Sequence, residues 1–278
     1  MVARGFYPGD CRAQLDAFLA DHHPPEDVPQ TLHGAALPHA GWMYSGRVAA
    51  RTLACFRESP EPETVIIFGA VHNPGVMTHT LYPAGEWDTP LGPVPVDQAC
   101  GAAIVDQDRT LISADPQAHQ HEHSIEVLVP MVRYFFPQAA IVPIVVLPQP
   151  SATRGGEAAA QAVTSLRRRA VFLASSDLTH YGPQFGLTPA GSGPEAQAWM
   201  EVNDRRLIDL LCQGTGEEVL TEARTHHNAC GAGALAALKA AMTTLEVPNG
   251  HLILYSTSYD AEPERVFRRA VGYAGVVF

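Results

Sequence analysis

The feature that most limits what this chain can fold into is a series of short, nearly unbroken apolar runs, each followed by a segment with helical spacing. TVIIFGAV (64–71) is strand-length and apolar throughout, the pattern of a strand buried on both faces. AAIVPIVVL (139–147), AVFLASS (170–176), HLILYSTS (251–258) and AVGYAGVVF (270–278) also read as strands, and so does Leu32 to Leu37. Between them, GRVAARTLACF (46–56) and GEAAAQAVTSLRRR (156–169) have amphipathic helical spacing, as does HSIEVLVPMVRYFF (123–136). In that last segment Ile125, Leu128, Val129, Val132 and Phe136 form one stripe, and Pro130 is expected to kink it. Asp97 is placed to cap DQACGAAIVDQ. A long helix is predicted from Pro194 to Leu211, with Pro in a tolerated first-turn position, and an Ala-rich one from Cys230 to Met242. Such alternation implies an α/β fold of three layers, α/β/α, around a mostly parallel central sheet. Without repeats or a low-complexity linker, residues 1–278 read as a single domain; YGPQFGLTPAGSGP resembles a surface lid more than a boundary.

Charge narrows the partners. With 29 acidic and 18 basic residues the formal charge is -11, which argues against nucleic acid or an anionic membrane as a partner. No secretory signal is visible in MVARGFYPGD, and no apolar stretch is long enough to span a bilayer. Five cysteines without a CxxC pair fit reduced thiols, so a cytoplasmic location is expected.

In open α/β sheets, ligands collect beyond the carboxyl ends of the strands. Three predicted strands end in comparable residues: His39 follows AALP, His72 follows IIFGAV, and Asp177 and His180 follow VFLASS. Cys230 stands at a predicted helix start, where the helix dipole and free N–H groups favour a thiolate. Two imidazoles and a thiolate make a three-ligand metal set with open positions. Spacing alone also allows blander roles, with His39 capping a loop, His72 packed in a turn and Cys230 a small buried hydrophobe. Asp177 either orients His180 for proton transfer or caps a helical turn.

Glu122 and Glu126 are four apart, on one side of the predicted helix, with His123 beside them. His119, His121 and His123 would share a face only in extended chain, which that helix disfavours. His227, with His226, adjoins Cys230 and is placed to line its pocket. In PHAGWMYSG, Gly41 is expected to allow a close backbone turn, after which Trp42 and Tyr44 wall the cavity.

The ordered set GFYPGD, PHAGWMYSG, GAVHNP, EWDTPLGPVPVD, EHSIEVLVP, SSDLTHYG, HNACG and VGYAG resembles the Memo-like family, nearly end to end. Its bacterial members belong to the AmmeMemoRadiSam system, and the family is related in fold to class III extradiol dioxygenases. The resemblance implies His39, His72 and Cys230 as metal-site residues, with Asp177 and His180 as a nearby polar pair. By the same analogy His180 takes the acid/base role, and Cys230 stands where the dioxygenases carry a carboxylate ligand. A thiolate there shifts preference toward softer ions such as Cu(I) or Zn, so ring cleavage does not transfer directly. Trp42 stands where relatives often carry tyrosine. The implied cofactor is a transition metal, iron or copper first and zinc next; the implied partners are a radical-SAM protein and a companion. Three functional readings follow: a Memo-type metal-binding protein doing redox or binding work in an assembly, a non-haem iron oxygenase with His180 moving protons, and a zinc hydrolase with His180 or Glu126 as base.

Overall fold

The structure, a computed structural model, describes residues 3–25 and 27–278. In chain order the principal elements are α1 (Cys11–Leu19), β1 (Gly34–Leu37), α2 (Trp42–Ala54), β2 (Thr64–Gly69), β3 (His79–Leu81), β4 (Glu86–Trp87), β5 (Val94–Pro95) and α3 (Gln98–Gln107). Then come β6 (Ile112–Ala114), α4 (Val129–Phe135), β7 (Ala140–Val145), α5 (Ser151–Leu166), β8 (Ala170–Ser175), β9 (His180–Tyr181) and α6 (Pro194–Gln213). The chain closes with α7 (Gly216–His226), α8 (Ala232–Thr244), β10 (His251–Thr257), α9 (Ser258–Ala261) and β11 (Ala270–Val277).

The apolar runs become the middle of the sheet. Its order is β10-β11-β1-β8-β2-β7-β3-β6, and β9 pairs with β11. The centre, β1-β8-β2-β7, is parallel; antiparallel pairings of β11 with β1 and β10, and of β3 with β7, flank it. Successive side chains of β2 point to opposite layers, as a strand requires. Val65 and Ile67 join the layer of α1, α2 and α4, whereas Ile66 and Phe68 join that of α3, α5, α6 and α8. All four are fully buried, which is why this run shows no polar alternation. Gly156 makes α5 and α8 close neighbours, since a Cβ there would lie 1.9 Å from the Ala237 carbonyl oxygen.

The helix expected over 123–136 is shorter than its apolar stripe suggested. It starts at Val129, and Pro130 sits in its first turn instead of kinking its middle. The residues ahead of it form turns packed over the strand ends, so Glu122 and Glu126 do not share a helical face. The other helix boundaries differ more mildly: α2 begins at Trp42, and α8 begins at Ala232 behind Gly231. No helix among the described residues is long and apolar enough to cross a membrane.

Candidate functional site

The carboxyl ends of β1, β2 and β8 deliver His39, His72, Asp177 and His180 to one cavity of about 520 Å³. Asp177 fixes the loop after β1, its Oδ1 accepting from the backbone N–H of His39 at 2.8 Å and of Ala40 at 3.2 Å. The His39 ring is buried, with Nδ1 2.8 Å from Ser175 Oγ. That hydroxyl donates its own proton to the Ser124 carbonyl at 2.6 Å, so it accepts from His39 Nδ1–H. His39 Nε2 therefore carries the lone pair, and it lies 3.3 Å from Cys230 Sγ.

Glu122 does the same for His72. Its Oε1 accepts from His72 Nδ1 at 2.9 Å and from Ser124 N–H at 2.8 Å, and its Oε2 accepts from the His72 backbone N–H at 2.7 Å. Burial alone would raise the Glu122 carboxyl, but the His72 hydrogen bonds and charge, with the Ser124 N–H, bring it down to about 2. The bond to Glu122 in turn raises His72 against the effect of burial. The His123 ring stacks between His72 (centroids 4.6 Å apart) and Phe6 (4.7 Å), while His39 presents an edge to both histidines.

Burial holds His39 well below the usual imidazole range, with the neighbouring His72 and His123 adding to it. His180 is also lowered by burial, although Asp177 opposes this, and Asp177 is raised by burial despite the N–H groups it accepts. Cys230 is pushed far up by burial, and then by the charge of Asp177. The thiolate expected from a helix start is therefore not the resting form. Cys230 precedes the Gly231 cap of α8, and its surroundings outweigh the helix dipole.

Two groups of possible ligands have their donor atoms within 4.8 Å of one another: His39, His72 and His123, and His39, Asp177 and Cys230. His39 belongs to both. No such group among the described residues contains both His72 and Cys230, so the sequence-derived trio meets only through His39.

Tyr44 lines the cavity, its hydroxyl donating to Glu262 Oε2 at 2.9 Å. Trp42 does not line it. Its ring is buried against Tyr7, with Nε1–H donating to the Val127 carbonyl at 3.1 Å. Gly41 caps α2 with φ -52°, an angle open to any residue, so the backbone there does not require glycine. Glu126 turns away from the cavity and accepts from Ala3 N–H and the Tyr7 hydroxyl. His227 lines a separate cavity, and it is that cavity, not the strand-end one, whose lining includes Cys230. His119 is likewise elsewhere, bonded to the Thr80 carbonyl, and only His123 of the HQHEH run joins the imidazoles. Sequence reasoning missed Ser175 and Ser124, which set the His39 tautomer, and the wall residues Phe6, Phe185 and Tyr259. The serines had a signal: each directly adjoins a strand end or motif that carries a histidine or aspartate.

The family model described as Memo-like protein matches residues 2–277. The chain belongs to the Memo-like protein family. A MEMO1 family protein of Pyrococcus horikoshii is 32% identical across 99% of this chain and 97% of its own. One from Methanopyrus kandleri is 33% identical, covering 100% and 97%. The crystal structure of an uncharacterized protein from Escherichia coli K12 superposes with a TM-score of 0.56 at 14% identity, over 89% of this chain and all of that one. That neighbour shares the fold with this Memo-like chain; the family rests on the sequence matches.

Proposed function

We propose that the strand-end cavity is a transition-metal site, with His39 and His72 as nitrogen donors and Cys230 as the third ligand once it and His72, which share no ligand group in this structure, draw together on the ion, in a Memo-type protein that does redox or binding work within an assembly. One observation carries this reading. Both rings have Nδ1 tied back, to Ser175 and to Glu122, so both Nε2 lone pairs are left for the site. His39 Nε2 already touches the Cys230 sulfur. Cys230 must lose its proton to ligate, a change that a nearby cation favours. His123 is the alternative third donor, because it forms one group with His39 and His72. Iron or copper fits this mixed nitrogen and sulfur set, and zinc comes next. A bound ion would supply Lewis acidity and, if iron or copper, one-electron chemistry. The implied partners, a radical-SAM protein and a companion, belong to this proposal too.

A second reading, a non-haem iron oxygenase, is supported by the position of His180. It lines the same cavity beside Asp177, and burial favours its neutral form, so it can take a proton from a bound ligand. The hydrolase reading is weaker, because Glu126 faces away and leaves His180 as the base.

The test is metal content and affinity in protein prepared anaerobically under reducing conditions. Near-stoichiometric copper or iron is expected, lost in His39→Ala, sharply reduced in Cys230→Ser and retained in His180→Ala. Full occupancy in His39→Ala would overturn the site. Loss in His123→Ala with none in Cys230→Ser would replace the sulfur by the third imidazole.

A further inference from the structure

A smaller cavity of about 280 Å³ lies apart from the strand-end site, beside β4 and the turn at Pro116–His119. Its deepest polar group is His119, which is only 5% exposed. Nε2 of this ring lies 3.1 Å from the Thr80 carbonyl oxygen. A carbonyl can only accept, so Nε2 carries the proton and Nδ1 the lone pair. Burial lowers His119 to about 4, so the ring stays neutral at physiological pH. Nδ1 is buried and has no hydrogen-bond partner, and such an orphaned acceptor calls for an explanation.

The surroundings indicate which donor would suit it. Tyr82 and Trp87 stand edge to face, 5.4 Å apart, and each meets the His119 ring at nearly a right angle. Glu86, Asp88 and Glu126 bring carboxylates to the lining, which includes no lysine or arginine. Neither Glu86 nor Asp88 forms an ion pair among the described residues. An anion would be repelled here. Among the described residues, a bare metal ion finds no three-ligand group that includes His119. A cation with an N–H satisfies every feature: a proton for Nδ1, charge for the carboxylates, and a face for the aromatic rings.

We propose that this cavity recognises a primary alkylammonium group, with His119 Nδ1 accepting one N–H, Glu86 and Asp88 balancing the charge, and Tyr82 and Trp87 flanking the cation. The same chemistry is carried by a free amine and by a lysine side chain, and the site would read either.

The experiment titrates the full chain at constant ionic strength with n-butylammonium chloride and, separately, with N-acetyl-lysine methylamide. Binding is read from the ring-nitrogen NMR signals of His119 and from tryptophan fluorescence. Saturable movement of the His119 Nδ1 resonance is expected, with tetramethylammonium, which has no N–H, at least about tenfold weaker. Tighter binding of n-butylammonium than of the lysine amide assigns a free amine, and equal or tighter binding of the lysine amide assigns a side chain. Trp87→Ala and His119→Phe should each weaken binding about tenfold. The double variant Glu86→Gln, Asp88→Asn changes only exposed side chains, so it tests the charge without disturbing the core. An unmoved His119 signal with both amines would mean that Nδ1 serves water only and would overturn the proposal. Equal binding of tetramethylammonium, or undiminished amine binding in the double variant, would do the same.

Discussion

Replacing Glu122 by Gln tests whether a buried carboxylate sets the site. The carboxylate accepts three N–H groups, two at Oε1 and one at Oε2. Glutamine keeps one oxygen, and its better orientation leaves that oxygen facing Ser124 N–H and His72 Nδ1–H. The new amide NH₂ then confronts the His72 backbone N–H, donor against donor, and the flipped orientation makes two such clashes. One lost charge-assisted bond with an unsatisfied buried donor costs about 2–3 kcal/mol. The pKa gives a comparable figure. A carboxyl lowered from 4.5 to about 2 stabilises the fold by about 3 kcal/mol. Because the folded value is the depressed one, that stability is present above pH 4.5 and is lost as pH falls toward 2. The assay is urea unfolding of the metal-free protein at pH 7, with chelator competition for the metal. Glu122→Gln is expected to lose about 2–3 kcal/mol of stability and about 10–100-fold in metal affinity. A stability change below about 0.5 kcal/mol, within the ordinary range of surface substitutions, would refute the assigned role.

Three further outcomes are expected. Chelator competition between pH 6.5 and 8.5 should show metal affinity rising about tenfold per pH unit, because one thiol proton leaves as Cys230 binds; a flat profile would remove the thiol. Asp204 accepts from Thr179 N–H and the Tyr255 hydroxyl, and burial pushes it up to about 6 from 3.8 even against those bonds. Its folded value is the raised one, so its contribution to stability declines by up to about 3 kcal/mol as pH rises from about 4 through 6, a slope that Asp204→Asn should remove in urea titrations. Gly156→Ala would force α5 from α8 and should cost at least about 2 kcal/mol by thermal unfolding.

The parallel centre of the sheet was legible because its strands are buried on both sides, and continuous apolar runs have few other uses. The same rule placed His39, His72, Asp177 and His180 together, since strand ends of a parallel sheet point one way. The helix at 123–136 misled because an apolar stripe at helical spacing also arises when turns cover a core. That error hid the opposite facing of Glu122 and Glu126. Trp42 misled for a related reason: α2 begins on it, so its side chain turns inward while Tyr44, two residues on, faces the cavity. Cys230 lies beside His39 but shares no ligand group with His72, and its protonation was not readable. Helix starts favour thiolates, and only the packed structure shows that burial, and then the charge of Asp177, oppose that preference.

The contrast between Glu122 and Asp177 shows how one site can hold two kinds of carboxylate. Glu122 gathers three N–H groups and stays ionised although buried, so it can support a positive charge on or beside His72. Asp177 gathers two and shares its surroundings with Cys230, and burial raises both groups. Burial thus works against the charged forms of Asp177 and Cys230 alike, on the side of the site where the His39 ring is held neutral. A cation at His39 would reverse the balance, since it favours the ionised forms of both neighbours at once. His39 is thus the hinge of the electrostatics as well as of the geometry. It belongs to both ligand groups, and its tautomer is fixed by Ser175, a residue that touches neither Glu122 nor Cys230 among the hydrogen bonds described.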